Sequence, residues 1–72
     1  MTAGEQLAVR LTAEGWARSI DIVGTPRYGR WRVVFSQRFQ RAFKAHFGWS
    51  AGREGYYDSI SEFADTVREV GA

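Results

Sequence analysis

"RYGRWRVVFSQRF", residues 27–39, changes its period in mid-course. From Arg30 to Ser36 the side chains alternate, with Trp31, Val33 and Phe35 on one face and Arg30, Arg32, Val34 and Ser36 on the other. A period of two is the pattern of a half-buried strand. Past Ser36 the spacing lengthens: Phe39, Phe43 and Phe47 recur every fourth residue, and Ala42 extends the same face. At 100° per residue the three rings fall within an arc of about 80°. Ser36 stands where such a helix needs its N-cap. Arg38, Arg41 and Lys44 follow at i, i+3 and i+6 and form a stripe on the far side. The stretch therefore joins a strand to a basic amphipathic helix, and this junction decides the fold class.

Toward the N-terminus, "WARSIDIV" at 16–23 reads as a second strand. Plain alternation puts Trp16, Ile20 and Ile22 on one face with Arg18 among them, and Ala17, Ser19, Asp21 and Val23 on the other. "GTPRYG" between the strands is turn chemistry, since Pro26 presets one backbone angle and Gly24 and Gly29 permit positive ones. The two runs predict an antiparallel hairpin with Arg27, Tyr28 and Arg30 at its tip. Before it, Thr2 and Glu5 have capping-box spacing, "GEQLAVRLTAE" is rich in helix formers, and Gly15 suits a left-handed stop. These predict a helix over 3–14; the alternation of Leu7, Val9 and Leu11 is the competing strand reading.

Downstream, "GWSAGREG" ends the basic helix and "YYD" suits a short strand. Ser59 and Glu62 repeat the capping-box spacing, and Ile60, Phe63, Ala64 and Val67 give a last helix its apolar face opposite Glu62, Asp65 and Glu69. The order α-β-β-α-(β)-α predicts one small α+β domain over 1–72, an antiparallel β-hairpin packed against helices. The opening "LTAEGW" followed by a hairpin resembles the start of the HicA-type toxin fold, which is related to double-stranded RNA-binding domains. Those toxins use a histidine on a strand after the first turn; "IVGTPRYGRWRVVF" contains none, so no activity or residue is carried over. The strand–helix–helix order also resembles ribbon-helix-helix DNA-binding proteins, which would turn Arg32 and Val34 toward a groove. That family couples its helices by a short turn, whereas "GWSAGREGYYDS" is long.

A chain of 72 residues buries only about 60% of the surface its unfolded form exposes. With no cysteine it has neither disulfide nor thiolate metal site, and its single histidine speaks against a histidine cluster. Three Trp, three Tyr and five Phe supply burial instead. No apolar run approaches the roughly 20 residues of a membrane span. "MTAGEQLAVRL" lacks the basic start and apolar stretch of a secretory leader, so a cytoplasmic chain is expected.

The net charge of +2 hides a strong asymmetry. Residues 22–53 carry Arg27, Arg30, Arg32, Arg38, Arg41, Lys44 and Arg53 and no acid, while residues 54–72 carry Arg68 against five acids. Arginine forks match phosphate and carboxylate and stack on rings. The leading expectation is a non-enzymatic nucleic-acid-binding module that grips the phosphate backbone of DNA or RNA through a basic hairpin and helix face. Arg27, Arg30, Arg32, Arg38, Arg41 and Lys44 would face phosphates and Tyr28 would stack. The alternative is a protein-interaction module, of phage or plasmid accessory or inhibitor type, docking on an acidic surface through the same arginines and aromatics. Self-association is a further reading, with the acidic helix meeting the basic one of a neighbouring copy. No membrane contact is expected, because the phenylalanine face is needed for the core. No cofactor or metal is expected either, since no Gly-rich phosphate loop or nucleophile elbow accompanies His46, Asp58 and Ser59. His46, centred on the phenylalanine arc, reads as a structural residue satisfied by helix C-terminal carbonyls and the dipole. Whether Trp49, Tyr56 and Tyr57 are core or display is open at this level.

Overall fold

Thr2 starts the first helix. Its Oγ1 accepts from the Glu5 N–H at 3.1 Å while the Glu5 carboxylate accepts from the Thr2 N–H, also at 3.1 Å, which closes the capping box. A computed structural model describes residues 1–25 and 28–71 of the chain. In order they form α1 (Ala3–Ala13), β1 (Ala17–Val23), β2 (Arg30–Phe35), α2 (Gln37–Phe47), β3 (Glu54–Tyr57) and α3 (Ile60–Gly71). The helical reading of residues 3–14 holds, one residue shorter, and β3 begins before the tyrosines. The strands make an antiparallel sheet in the order β1-β2-β3. The architecture is thus the α+β hairpin-and-helix domain expected from the sequence, and the short strand expected at the tyrosines joins the sheet as β3.

The β1–β2 register corrects the reading of "WARSIDIV". Ala17 lies opposite Phe35 and Ser19 opposite Val34, so two steps on β1 match one step on β2. Arg18 is the extra residue of a β-bulge. The bulge turns Ala17 onto the core face, where it is buried, and leaves Arg18 exposed. Unbroken alternation would place the guanidinium on the same face as Ile20, at a desolvation cost that the bulge removes.

Below the bulge, the inner face carries Ile20 and Ile22 of β1, Trp31, Val33 and Phe35 of β2, and Gly55 and Tyr57 of β3. The helices bring Ala8 and Leu11, Phe39 and Phe43, and Ile60, Phe63, Ala64 and Val67 to that same face. Phe39 is the hub: its ring centroid is 4.6 Å from Phe35, 5.0 Å from Phe63 and 5.8 Å from Phe43. Val33, Phe39 and Phe63 have no appreciable exposure, and each such burial stabilises by about 1.5–3 kcal/mol. Gly55 leaves room for this ladder, since a Cβ there would stand 2.7 Å from Phe35 Cζ. The other sheet face, with Ser19, Asp21, Val23, Arg30, Arg32, Val34, Glu54 and Tyr56, contributes nothing to the core.

Helix α2 begins where β2 ends. The Ser36 hydroxyl accepts from the Phe39 N–H at 3.1 Å, as the N-cap reading requires, and donates to the Gly15 carbonyl at 2.6 Å. At the far end Gly48 takes φ 83°, the left-handed cap that stops the helix. Ser59 caps α3 differently from expectation: its hydroxyl accepts from the Ser61 N–H at 3.3 Å, not from Glu62. No described helix is long and apolar enough to cross a membrane.

Candidate binding surface

The cations of residues 27–44 are not equivalent. Arg27 lies outside the described residues. Tyr28 is 77% exposed at the hairpin turn, its N–H held by the Thr25 carbonyl and hydroxyl at 3.1 Å each. Arg30, on the outer sheet face, makes a loose ion pair with Asp58 at 3.5 Å. Arg32 is engaged by its cross-strand neighbour Asp21 in a fork: Nε donates to Oδ1 at 3.2 Å and Nη2 to Oδ2 at 2.7 Å. These bonds, reinforced by the Asp21 charge, hold its proton more tightly than usual. Arg38 lays its guanidinium over the Trp16 ring, 3.9 Å from the centroid, and donates to the Glu14 carbonyl. It fastens α2 to the α1–β1 turn. Arg41 and Lys44 are exposed on α2 and enter no ion pair or side-chain hydrogen bond with another described residue.

The set is also divided in space. The hairpin turn lies at one end of β2, whose residues span about 17 Å. Helix α2 starts at the other, where Ser36 follows Phe35 directly. Arg30 and the start of α2 therefore stand at opposite ends of β2.

What the chain displays between the end of α2 and β3 is aromatic. Trp49 is 60% exposed and stands edge-on to Phe43, with ring centroids 4.8 Å apart and planes at 89°. Phe47 flanks it at 6.2 Å. Tyr56 is 51% exposed across a groove of about 220 Å³ floored by Phe35, Phe43 and Gly55. Lys44 lies about 60° round the helix from Phe47, and Arg53 accepts the Phe35 N–H through its carbonyl at 2.9 Å while its side chain is exposed. Trp49 and Tyr56 are thus displayed. Tyr57 is not: it turns inward against Phe63 at 5.7 Å, and burial raises its phenol above the ordinary range. The Gly-rich flanks of Trp49 mark a loop, but nothing in them says which way the ring points.

His46 differs from expectation. It is exposed, and its Nε2 lies 3.3 Å from Glu69 Oε1, so its partner is a carboxylate of α3 rather than helix carbonyls. Asp58 and Ser59 sit at the opposite end of α3 from Glu69, so they do not meet His46. Among the described residues no group of three or more acidic or histidine side chains is placed to hold a metal ion. No protein-family model matches the chain, and neither does any curated protein or solved structure.

Proposed function

We propose that the chain is a small non-enzymatic docking module that binds an acidic surface on a larger protein. Trp49 and Tyr56 are its anchors, and Arg41, Lys44 and Arg53 its charged rim. The observation that carries this reading is the fixed, displayed Trp49. A ring of this size held edge-on by Phe43, yet mostly in water, leaves a large apolar area uncovered. Rigid aromatics beside arginine have the composition of interface hot spots. A cytoplasmic setting belongs to the same proposal and rests on the sequence alone.

Nucleic-acid binding is the second reading, favoured by Arg41 and Lys44, which share one helix face and enter no ion pair among the described residues. Salt dependence separates the two. A titration with random duplex and single strand should give a log–log slope of about −5 if six cations grip phosphates, and about −3 if only Arg41, Lys44 and Arg53 do. Under the docking reading neither nucleic acid binds measurably. A partner, once captured, should lose about 2 kcal/mol or more with Trp49→Ala, and less with Arg41→Glu. Tight, salt-sensitive nucleic-acid binding that survives Trp49→Ala would reverse the choice.

A further inference from the structure

We propose that the chain pairs with a second copy of itself along the free edge of β1, joining two three-stranded sheets into one of six strands about a two-fold axis. This rests on a different face from the Trp49 patch and is independent of it.

The sheet has two edges, and they are unlike. β3 is four residues long and carries Gly55 and Glu54, features that weaken or guard an edge. β1 is seven residues long, and its bulge is confined to the Ala17–Ser19 step, so residues 19–23 run regularly. Its only acid, Asp21, is held by Arg32 on the outer face and does little to guard the edge. Beside that edge α1 leaves an apolar groove of about 620 Å³, lined by Val9, Ala13, Ile20 and Trp31. Val9 is 57% and Ile22 56% exposed, in the two elements that border it. A free strand edge next to an apolar shelf needs both backbone partners and apolar cover, and an antiparallel strand carrying its own helix supplies the two together.

Self-pairing about an axis normal to the sheet keeps inner residues opposite inner ones, which leaves few registers. Centred on Asp21, it sets two carboxylates face to face. Centred on Ile22, it runs off the strand at Gly24. Centred on Ser19, it lies on the bulge, where the ladder is irregular. Centred on Ile20, it stacks Ile20 on its own copy, sets the Ser19 hydroxyl opposite the Asp21 carboxylate, and, because the bulge counts 17 to 19 as one step, sets Ala17 opposite Ile22. The charges then also agree. Glu5 and Arg18 line opposite ends of the groove: Glu5 neighbours Gly4, which abuts Trp31, the cross-strand partner of Ile22. The axis exchanges the ends, so each Arg18 approaches the Glu5 of the copy. Val9 of each α1 covers Val9 and Ile22 of the other.

Sedimentation equilibrium on the whole chain tests this. The wild type should run at twice the 8.2 kDa chain mass as concentration rises. Ile22→Lys, Val9→Glu and Arg18→Glu each change an exposed side chain, so far-ultraviolet circular dichroism should be unchanged while the dimer dissociation constant rises at least about tenfold. Trp49→Ala should leave the dimer intact. A wild type that stays at single-chain mass at the highest concentration reached would overturn the proposal, whether or not the edge accepts an extended peptide from elsewhere. So would a dimer that Ile22→Lys and Val9→Glu leave undisturbed.

Discussion

The Ser36 hydroxyl satisfies two backbone groups, the Phe39 N–H three residues on and the Gly15 carbonyl 21 residues back. Alanine there leaves both without their partner, and urea unfolding should show a loss of about 1–2 kcal/mol, with threonine retaining most of it. Gly55 acts by having no side chain. Gly55→Ala pushes a methyl against Phe35 Cζ, and the same measurement should show a loss of about 1–3 kcal/mol. Tyr57 ties stability to alkaline pH. Burial, and secondarily the charge of Glu62, raises its phenol pKa in the folded chain, so the unfolded chain ionises first. Below about pH 10 tyrosine is neutral in both states and contributes no pH dependence. As pH climbs from there through the higher folded value, the unfolded state holds fewer protons and stability falls. Urea midpoints measured across that range should decline in the wild type, and Tyr57→Phe should make the decline shallower.

Among the elements, β1 carries the sharpest prediction. Arg18 is the inserted residue, so deleting it still leaves Ala17 inward and Ser19 outward. That deletion should fold with a near-native circular dichroism spectrum, whereas deleting Asp21 reverses one part of the strand relative to the other and should not. The α2 stripe needs equal care. Arg38→Glu removes the cover of Trp16 and the bond to Glu14, so it should lower the melting temperature. Arg41→Glu with Lys44→Glu should leave the melting temperature nearly unchanged, and only this pair reports on binding. The order of elements was legible because the period switches at Ser36 and the caps and glycines punctuate it. The bulge was not, because an inserted residue in an alternating run carries no local mark. The engagement of Arg32 and Arg38 was hidden for another reason: Asp21 and Trp16 are 11 and 22 residues away, and only the register and the helix docking bring them near.

At the scale of the whole molecule, the described cations of residues 22–53 are carried by different elements: Arg30 and Arg32 by β2, Arg38, Arg41 and Lys44 by α2, and Arg53 by the loop before β3. The chain is elongated, 35 × 19 × 17 Å, with Tyr28 and Arg30 at the turn end of β2 and Ser36, which opens α2, at its other end. Cations close in sequence take different partners, Asp58 for Arg30, Asp21 for Arg32 and Trp16 for Arg38, which composition cannot express. The exposure of Trp49 was likewise beyond the sequence, since it depends on how a glycine-rich loop returns to the sheet. That return also sets the order in which the sheet can assemble. Six residues connect β1 to β2, but eighteen separate β2 from β3, and closing the longer loop costs about 1 kcal/mol more chain entropy. The first hairpin can zip up alone, while β3 waits for α2 to shorten its tether and for the phenylalanines to gather. β3 is therefore the last strand to dock and the first to open, and amide exchange at Gly55 and Tyr57 should outrun that at Asp21 and Arg32, whose N–H groups lie in the β1–β2 ladder.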